Sequence, residues 1–226
     1  MAIKITNLPT KAKSALKDII KSDGTLKNEK EAFFALSDYL ILSEEPSAVY
    51  DIANFVARND RALSGEIAKR SFIKLSEDEE FSIHKRRNTL VESLTDCAKG
   101  QKELNFEGFL TFRTEKYIRL LYNAVYKAAE EVFLEQEYME MTALLRKSVR
   151  ETKSLIREAH IYGCFIFDEG GNEITSEKGL YLVKPDRMLE KLLNLAPERI
   201  YIHYPPEGEM LSAIEEVFSP NVIYIN

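Results

Sequence analysis

The sequence predicts an α+β fold, mainly helical in its N-terminal and central parts, with a small C-terminal mixed sheet containing a βαβ unit. Three observations lead there. No proline falls between Pro46 and Pro185, so long helices can form free of the roughly 3 kcal/mol that an interior proline costs. Apolar residues recur at helical spacing through that gap. After His160 the chain changes to short β-branched and aromatic runs punctuated by turn residues, the pattern of strands.

Residues 2–6 read as a short strand, after which Thr10 is placed to cap a helix reaching about Ser22, where Asp23-Gly24 stops it. A second helix fits Asn28 to Leu42, a third follows Pro46, and a fourth spans about Ala62 to Lys74. Ser76-Glu77-Asp78-Glu79 has the form of a capping box for a helix running to Lys99 before Gly100. Lys85, Arg86 and Arg87 then read as a solvated face of that helix. Tyr117, Leu120, Leu121, Ala124, Val125, Ala128 and Val132 form one apolar stripe, continued by Tyr138, Met141, Leu145, Val149, Thr152 and Ile156. Glu135-Gln136-Glu137 between them contains no helix breaker, so one bent helix and a two-helix hairpin are both open.

In the last third, His160 to Phe167 reads as one strand, Asp168 to Asn172 as a hairpin turn, and Glu173 to Thr175 as the start of a return strand. Pro185 to Leu195 is a helix, Arg199 to Tyr204 a strand, Glu207 to Phe218 a helix and Val222 to Ile225 the closing strand. So short a strand–helix–strand succession makes the last two strands parallel. IYIHY and VIYI are apolar on both faces, as a covered sheet requires. The organisation predicted is a helical region over 1–103, a central helix or hairpin over 104–158 and an α/β sheet region over 159–226.

Composition narrows the function classes. Of 226 residues, 45% are hydrophobic and 30% charged, with a net charge of −6. That is globular rather than disordered, and it disfavours non-specific attraction to nucleic acid or anionic lipid. Two cysteines, Cys97 and Cys164, form no CxxC pair and fit a reducing compartment. MAIKITNLPTKAK lacks the apolar core of a signal peptide, and no stretch approaches the ~18 apolar residues of a membrane span. The expectation is a cytoplasmic protein with no membrane span.

Candidate chemistry is sparse. His160 and Cys164, read as lying on one strand, stand roughly 13 Å apart, too far to share an ion. His203 comes near one of them only if its strand is a neighbour, and two ligands make a poor metal site. The loop from His203 to Glu209 offers prolines and carboxylates where a phosphate needs bare amides. Glu130, Glu131, Glu135, Glu137 and Glu140 lack the Glu-x-x-His pairs of a di-iron bundle, because no histidine falls between His84 and His160. They read as a solvated acidic face. Tyr50 to Phe72 is reminiscent of two helices joined by a turn, with Arg58, Arg61, Lys69 and Arg70 as conceivable phosphate contacts. No GxSxG, HExxH, Walker lysine loop or paired CxxC is present. No catalytic residue, cofactor or metal ion is assigned.

The segment NFEGFLTFR, Asn105 to Arg113, stands apart from generic helix. Together with EYMEMTALLRKSV (Glu137 to Val149), REAHIYG and LAPERIYIHY, it resembles the YtxC-like family of sporulation proteins over about Leu104 to Asn226. The resemblance implies a cytoplasmic protein of endospore-forming bacteria and brings no catalytic residues. Read physically, Phe106, Phe109, Leu110 and Phe112 anchor the start of the long helix, and Glu107 occupies its first turn, where a carboxylate is favoured. Arg113 is suited either to an ion pair with another segment or to docking a partner. The function expected is a non-catalytic interaction protein acting in sporulation, with an unidentified protein partner. Asn105, Glu107, Arg113, His160 and His203 are its candidate interaction residues. The alternatives are a nucleic-acid-binding regulator using the Arg58 to Arg70 region, and an enzyme using His160 and His203. Oligomeric state is left open.

Overall fold

A computed structural model of the chain describes residues 3–174 and 185–225. It has the α+β class expected, and it divides into two compact units, Met1–Leu134 and Glu135–Asn226.

The first unit begins with strand β1 (Lys4–Thr6) and helix α1 (Thr10–Ala15). Ala2, placed at the start of that strand in the sequence reading, lies outside the described residues. Helix α1 is shorter than expected: Thr10 starts it without capping it, and turns follow from Leu16. Helices α2 (Glu29–Ser43), α3 (Glu45–Val56) and α4 (Arg61–Glu77) fall where the periodicity puts them. Asn28 and Asp60 cap α2 and α4, each side chain accepting from two backbone amides of the first turn.

The expected capping box is not one. Asp78 instead caps a single 3-10 turn over Glu79–Phe81, and α5 (Ile83–Ala98) starts only after Ser82. Strand β2 (Glu103–Asn105), which the sequence did not signal, pairs parallel with β1, with Ile5 opposite Leu104. NFEGFLTFR does not open the long helix either. It forms the short helix α6 (Phe106–Phe112), and α7 (Glu115–Glu151) starts separately. The break has a local cause: Arg113 leaves helical geometry at φ −125° and ψ 0°, and the Thr114 hydroxyl donates back to the Leu110 carbonyl at 2.8 Å. Phe106 and Phe109 are buried as anchors, whereas Phe112 is exposed.

Helix α7 is one continuous helix of 37 residues, about 55 Å long at 1.5 Å per residue. The hairpin alternative is therefore excluded. Tyr117, Leu121, Ala124, Val125 and Val132 pack into the core of the first unit with Phe33, Leu36, Leu90, Leu94, Phe106 and Phe109.

An ion pair lies in that core. The run Lys85-Arg86-Arg87 is not a solvated face, because Arg86 is 5% exposed and lies 3.0 Å from Oε2 of the equally buried Glu45. The Arg86 Nε points off the line of a hydrogen bond to it, while Nη1 donates to the carbonyls of Leu75 (2.7 Å) and Phe81 (2.5 Å). Tyr117 donates to the same Glu45 oxygen at 2.7 Å. Three helices, α3, α5 and α7, thus meet at one carboxylate. Arg87 is also engaged, donating to Asp38 at 2.6 Å. Sequence spacing could not reveal this, since the partner of Arg86 lies on another helix.

The second unit holds a four-stranded sheet in the order β4-β3-β5-β6. His160 to Phe167 is not one strand. It folds back as β3 (Glu158–Tyr162) and β4 (Phe165–Asp168), antiparallel across a two-residue turn. Gly163 takes φ +63° there, a conformation that costs glycine little. Asp168 to Asn172 reverses the chain again. Glu173 bridges to Phe167 as the expected return begins, and Thr175 lies outside the described residues. Helix α8 (Pro185–Leu195) leads to β5 (Arg199–Tyr204), and α9 (Met210–Phe218) to β6 (Val222–Tyr224). β5 pairs parallel with both β3 and β6, so the predicted βαβ unit is present.

Only one face of the sheet is covered among the described residues. Ala159, Ile161, Ile166, Ile200 and Ile202 are buried against Met188 and Leu192 of α8 and Ile214, Val217 and Phe218 of α9. The opposite face carries half-exposed and exposed residues, contrary to the covered sheet expected from its apolar composition. No helix among the described residues is long and apolar enough to cross a membrane.

Removing one member of a buried ion pair strands the other, at a cost of about 3–5 kcal/mol. Arg86→Leu should therefore lower the unfolding free energy by that amount in urea titrations. Glu45→Gln combined with Arg86→Leu should recover the part due to the stranded carboxylate but not the part due to the Leu75 and Phe81 carbonyls that lose their donor. Burial holds the Glu45 carboxyl above its ordinary range, with Arg86 and the Tyr117 hydroxyl pulling the other way. Between the unfolded and folded pKa the native state keeps a proton that the unfolded state has lost, so stability from this group falls as pH rises through that window. Glu45→Gln should abolish that slope.

Candidate functional site

Strands expose every second residue on one face, and register decides which. His160 pairs across from Phe167 of β4, and Tyr162 from Phe165. On the other side His160 pairs with Tyr201 of β5. These five side chains therefore share the open face, with Glu158 and Arg199 at one end of it and Ile223 of β6 beyond Tyr201.

At the other end the pairing is irregular. β3 and β5 run in step to Ile161 opposite Ile202, and then Tyr162 faces Tyr204, leaving His203 as an extra residue. Such a bulge re-aims the side chain it carries. The His203 ring lies parallel to Tyr162 at 4.2 Å between centroids, and its Nε2 is 3.0 Å from Nδ1 of His160. His160 in turn stacks on Tyr201 at 5.0 Å. Tyr162 meets Phe167 edge to face, at 5.6 Å and 86°. The result is a continuous row of rings across three strands.

The two imidazoles are thus brought together, which the sequence allowed only if their strands were neighbours. Cys164 is not with them, because it sits exposed in the turn after Gly163. A 3.0 Å N···N contact needs one ring to donate and the other to accept, so at most one of the two can be doubly protonated with this contact intact. Glu158 approaches Nε2 of His160 at 3.6 Å, beyond hydrogen-bond range. Among the described residues no three His, Cys, Asp or Glu side chains are placed to hold a metal ion.

Beside the row lies an open cavity of about 620 Å³, walled by His160, Tyr162, Phe165 and Phe167 and closed by the turn that carries Asp168 and Glu169. The Asp168 carboxylate organises that turn, accepting from the amides of Gly170 and Asn172 at 2.8 Å each and from the Asn172 side chain. These bonds, the Asn172 side chain's foremost, hold its carboxyl below the ordinary range, so it stays charged. Glu169 is exposed. Among the described residues, the charges lining this cavity are carboxylates, and its walls are rings.

The other candidate residues lie in the first unit. Asn105 caps α6, accepting from the Gly108 amide at 3.1 Å and from the Asn7 side chain at 3.3 Å. Its role is structural. Glu107 is exposed in the first turn of α6, and Arg113 is exposed at its end. In the segment with the conceivable phosphate contacts, Arg70 bonds Glu66 at 3.0 Å, while Arg58, Arg61 and Lys69 are exposed. Sequence reasoning missed Tyr162, Phe165, Phe167 and Tyr201. The signal available was Gly163-Cys164, a Gly-X pair between two aromatic runs, which marks a two-residue hairpin.

A family model, that of the YtxC-like family, matches residues 34–223 of the chain. No curated protein and no solved structure matches it.

The shared hydrogen between the imidazoles gives a direct check. In nitrogen-detected NMR at neutral pH, His203→Ala should move the His160 Nδ1 resonance and leave exposed His84 in place. Unchanged His160 signals would remove the contact from consideration.

Proposed function

The chain belongs to the YtxC-like family, and from that premise we propose a non-catalytic interaction protein of the cytoplasm, acting in sporulation, that engages its partner through the open face of the C-terminal sheet. The observation that carries this reading is the row of half-exposed rings from Phe165 through Tyr162 and His203 to Tyr201. Aromatic rings of this kind dominate protein contact surfaces because they offer large area at little entropic cost. The charges beside the row specify the partner further. Asp168 and Glu169 flank faces of negative ring potential, and both features attract a lysine or arginine side chain. A partner segment that is basic fits this face, and a phosphate backbone is repelled from it.

The contact between His160 and His203 favours a second reading, an acid–base enzyme in which the pair moves a proton. The two readings separate in one experiment. The full chain is titrated with an arginine- and lysine-rich peptide by calorimetry, and Phe165→Ala, Glu169→Lys and the double His160→Gln, His203→Gln replacement are each tested for restoring sporulation in a deletion strain. Under the interaction reading the first two variants weaken peptide binding roughly tenfold, the loss of one good contact, and fail to restore spore yield. Full restoration by both would refute it. Failure of the histidine variant alone, with peptide binding intact, would point to the enzyme.

A further inference from the structure

The first unit contains a cavity of about 630 Å³ between the end of β1 and the segment that follows α1. Lys13, Lys17 and Lys21 line it at successive intervals of four residues. Some lysines of the chain are paired with an acid, as Lys74 is with Glu131 and Lys127 with Glu80. None of these three makes a salt bridge among the described residues, although the charge of Lys21 acts on Asp23 in the same wall. The acid in the cavity wall, Asp23, is engaged by its neighbour: it accepts from the Thr25 amide at 3.0 Å, and its bonds to Thr25, with a smaller pull from the Lys21 charge, hold its carboxyl below the ordinary range. Three ammonium groups against one carboxylate make this wall strongly cationic on a chain of net charge −6.

We propose that this cleft binds a phosphate-bearing small molecule. A phosphomonoester carries about −1.5 to −2 charges at neutral pH, which matches the uncompensated charge of the wall. Lysine suits the role as a compact point charge with three donors that reach phosphate oxygens from several directions. Thr6 and Ser22 add hydroxyls, and Ile5 and Ile20 give the non-phosphate part of the ligand an apolar surface. Concavity favours a small ligand over a bilayer or a nucleic-acid strand, both of which are served by a flat or grooved surface. The cleft lies in residues 5–24, outside the family-matched span of 34–223. It therefore stands or fails independently of the ring face.

The test uses the full chain and two probes, inorganic phosphate and pyrophosphate, read by NMR of the lysine side-chain carbons. Saturable one-site binding that moves Lys13, Lys17 and Lys21 is expected, with pyrophosphate the tighter probe. Lys17→Gln should weaken it roughly tenfold, the size of one charge-assisted hydrogen bond, and the exposed Lys99→Gln should leave it unchanged. Circular dichroism confirms that both variants fold. Absence of saturation at millimolar pyrophosphate, or equal weakening by Lys99→Gln, overturns the proposal. Binding of anionic vesicles or of a single-stranded oligonucleotide that pyrophosphate does not compete with overturns it as well.

Discussion

The second unit is governed by how much of a sheet its helices can cover. Helices α8 and α9 place Met188, Leu192, Ile214 and Phe218 against the face bearing Ala159, Ile161, Ile166, Ile200 and Ile202. Burying such side chains is worth about 1.5–3 kcal/mol each, so register is fixed by this face alone. The alternate residues, His160, Tyr162, Phe165, Phe167 and Tyr201, are then committed to the other side whatever their own preference. The ring row is a consequence of that choice. A slip by one residue would exchange the two sets and put two imidazoles in the core. The register does slip once, at His203, after the buried isoleucines have been placed, where the packed face no longer opposes it.

What the sequence revealed and what it hid follow from the range of each interaction. α8 and β5 were legible to the residue, and β6 nearly so, because period, length and flanking prolines are local signals. The parallel pairing of β5 and β6 followed from chain connectivity. The reversal at Gly163 was obscured because the residues on either side are apolar, and an apolar run reads as one strand until the glycine is weighed as a turn former. Arg86 was misread for a different reason. A Lys-Arg-Arg run is ordinarily solvated, and the sequence contains no mark of Glu45 arriving from a helix about forty residues earlier. Tyr117 was placed correctly on a buried stripe, but its hydroxyl bond to Glu45 is a property of packing and not of spacing. The five candidate residues divide in the same way: the histidines meet because β3 and β5 are neighbours, and Asn105 proves to be a cap.

Magnitudes decide what kind of ligand each surface can hold. On the open ring face a single cation–π contact is worth about 0.5–1 kcal/mol, while association itself costs at least ~4 kcal/mol in lost translational and rotational freedom. A lone amine therefore has too little to gain there. An occupant must lie across several rings at once, adding the apolar area of Phe165, Tyr162 and Tyr201 to its charge, and a side chain carried on a larger partner meets that requirement. In the lysine-lined cleft the balance differs. Hydrogen bonds to charged groups contribute about 1.5–3 kcal/mol each, and three lysines line one half-open cleft. A few atoms of a multiply charged ligand can then offset the cost of binding without an extended interface. The same chain thus has one surface whose contacts are individually weak and need breadth, and one whose contacts are strong enough to hold something small.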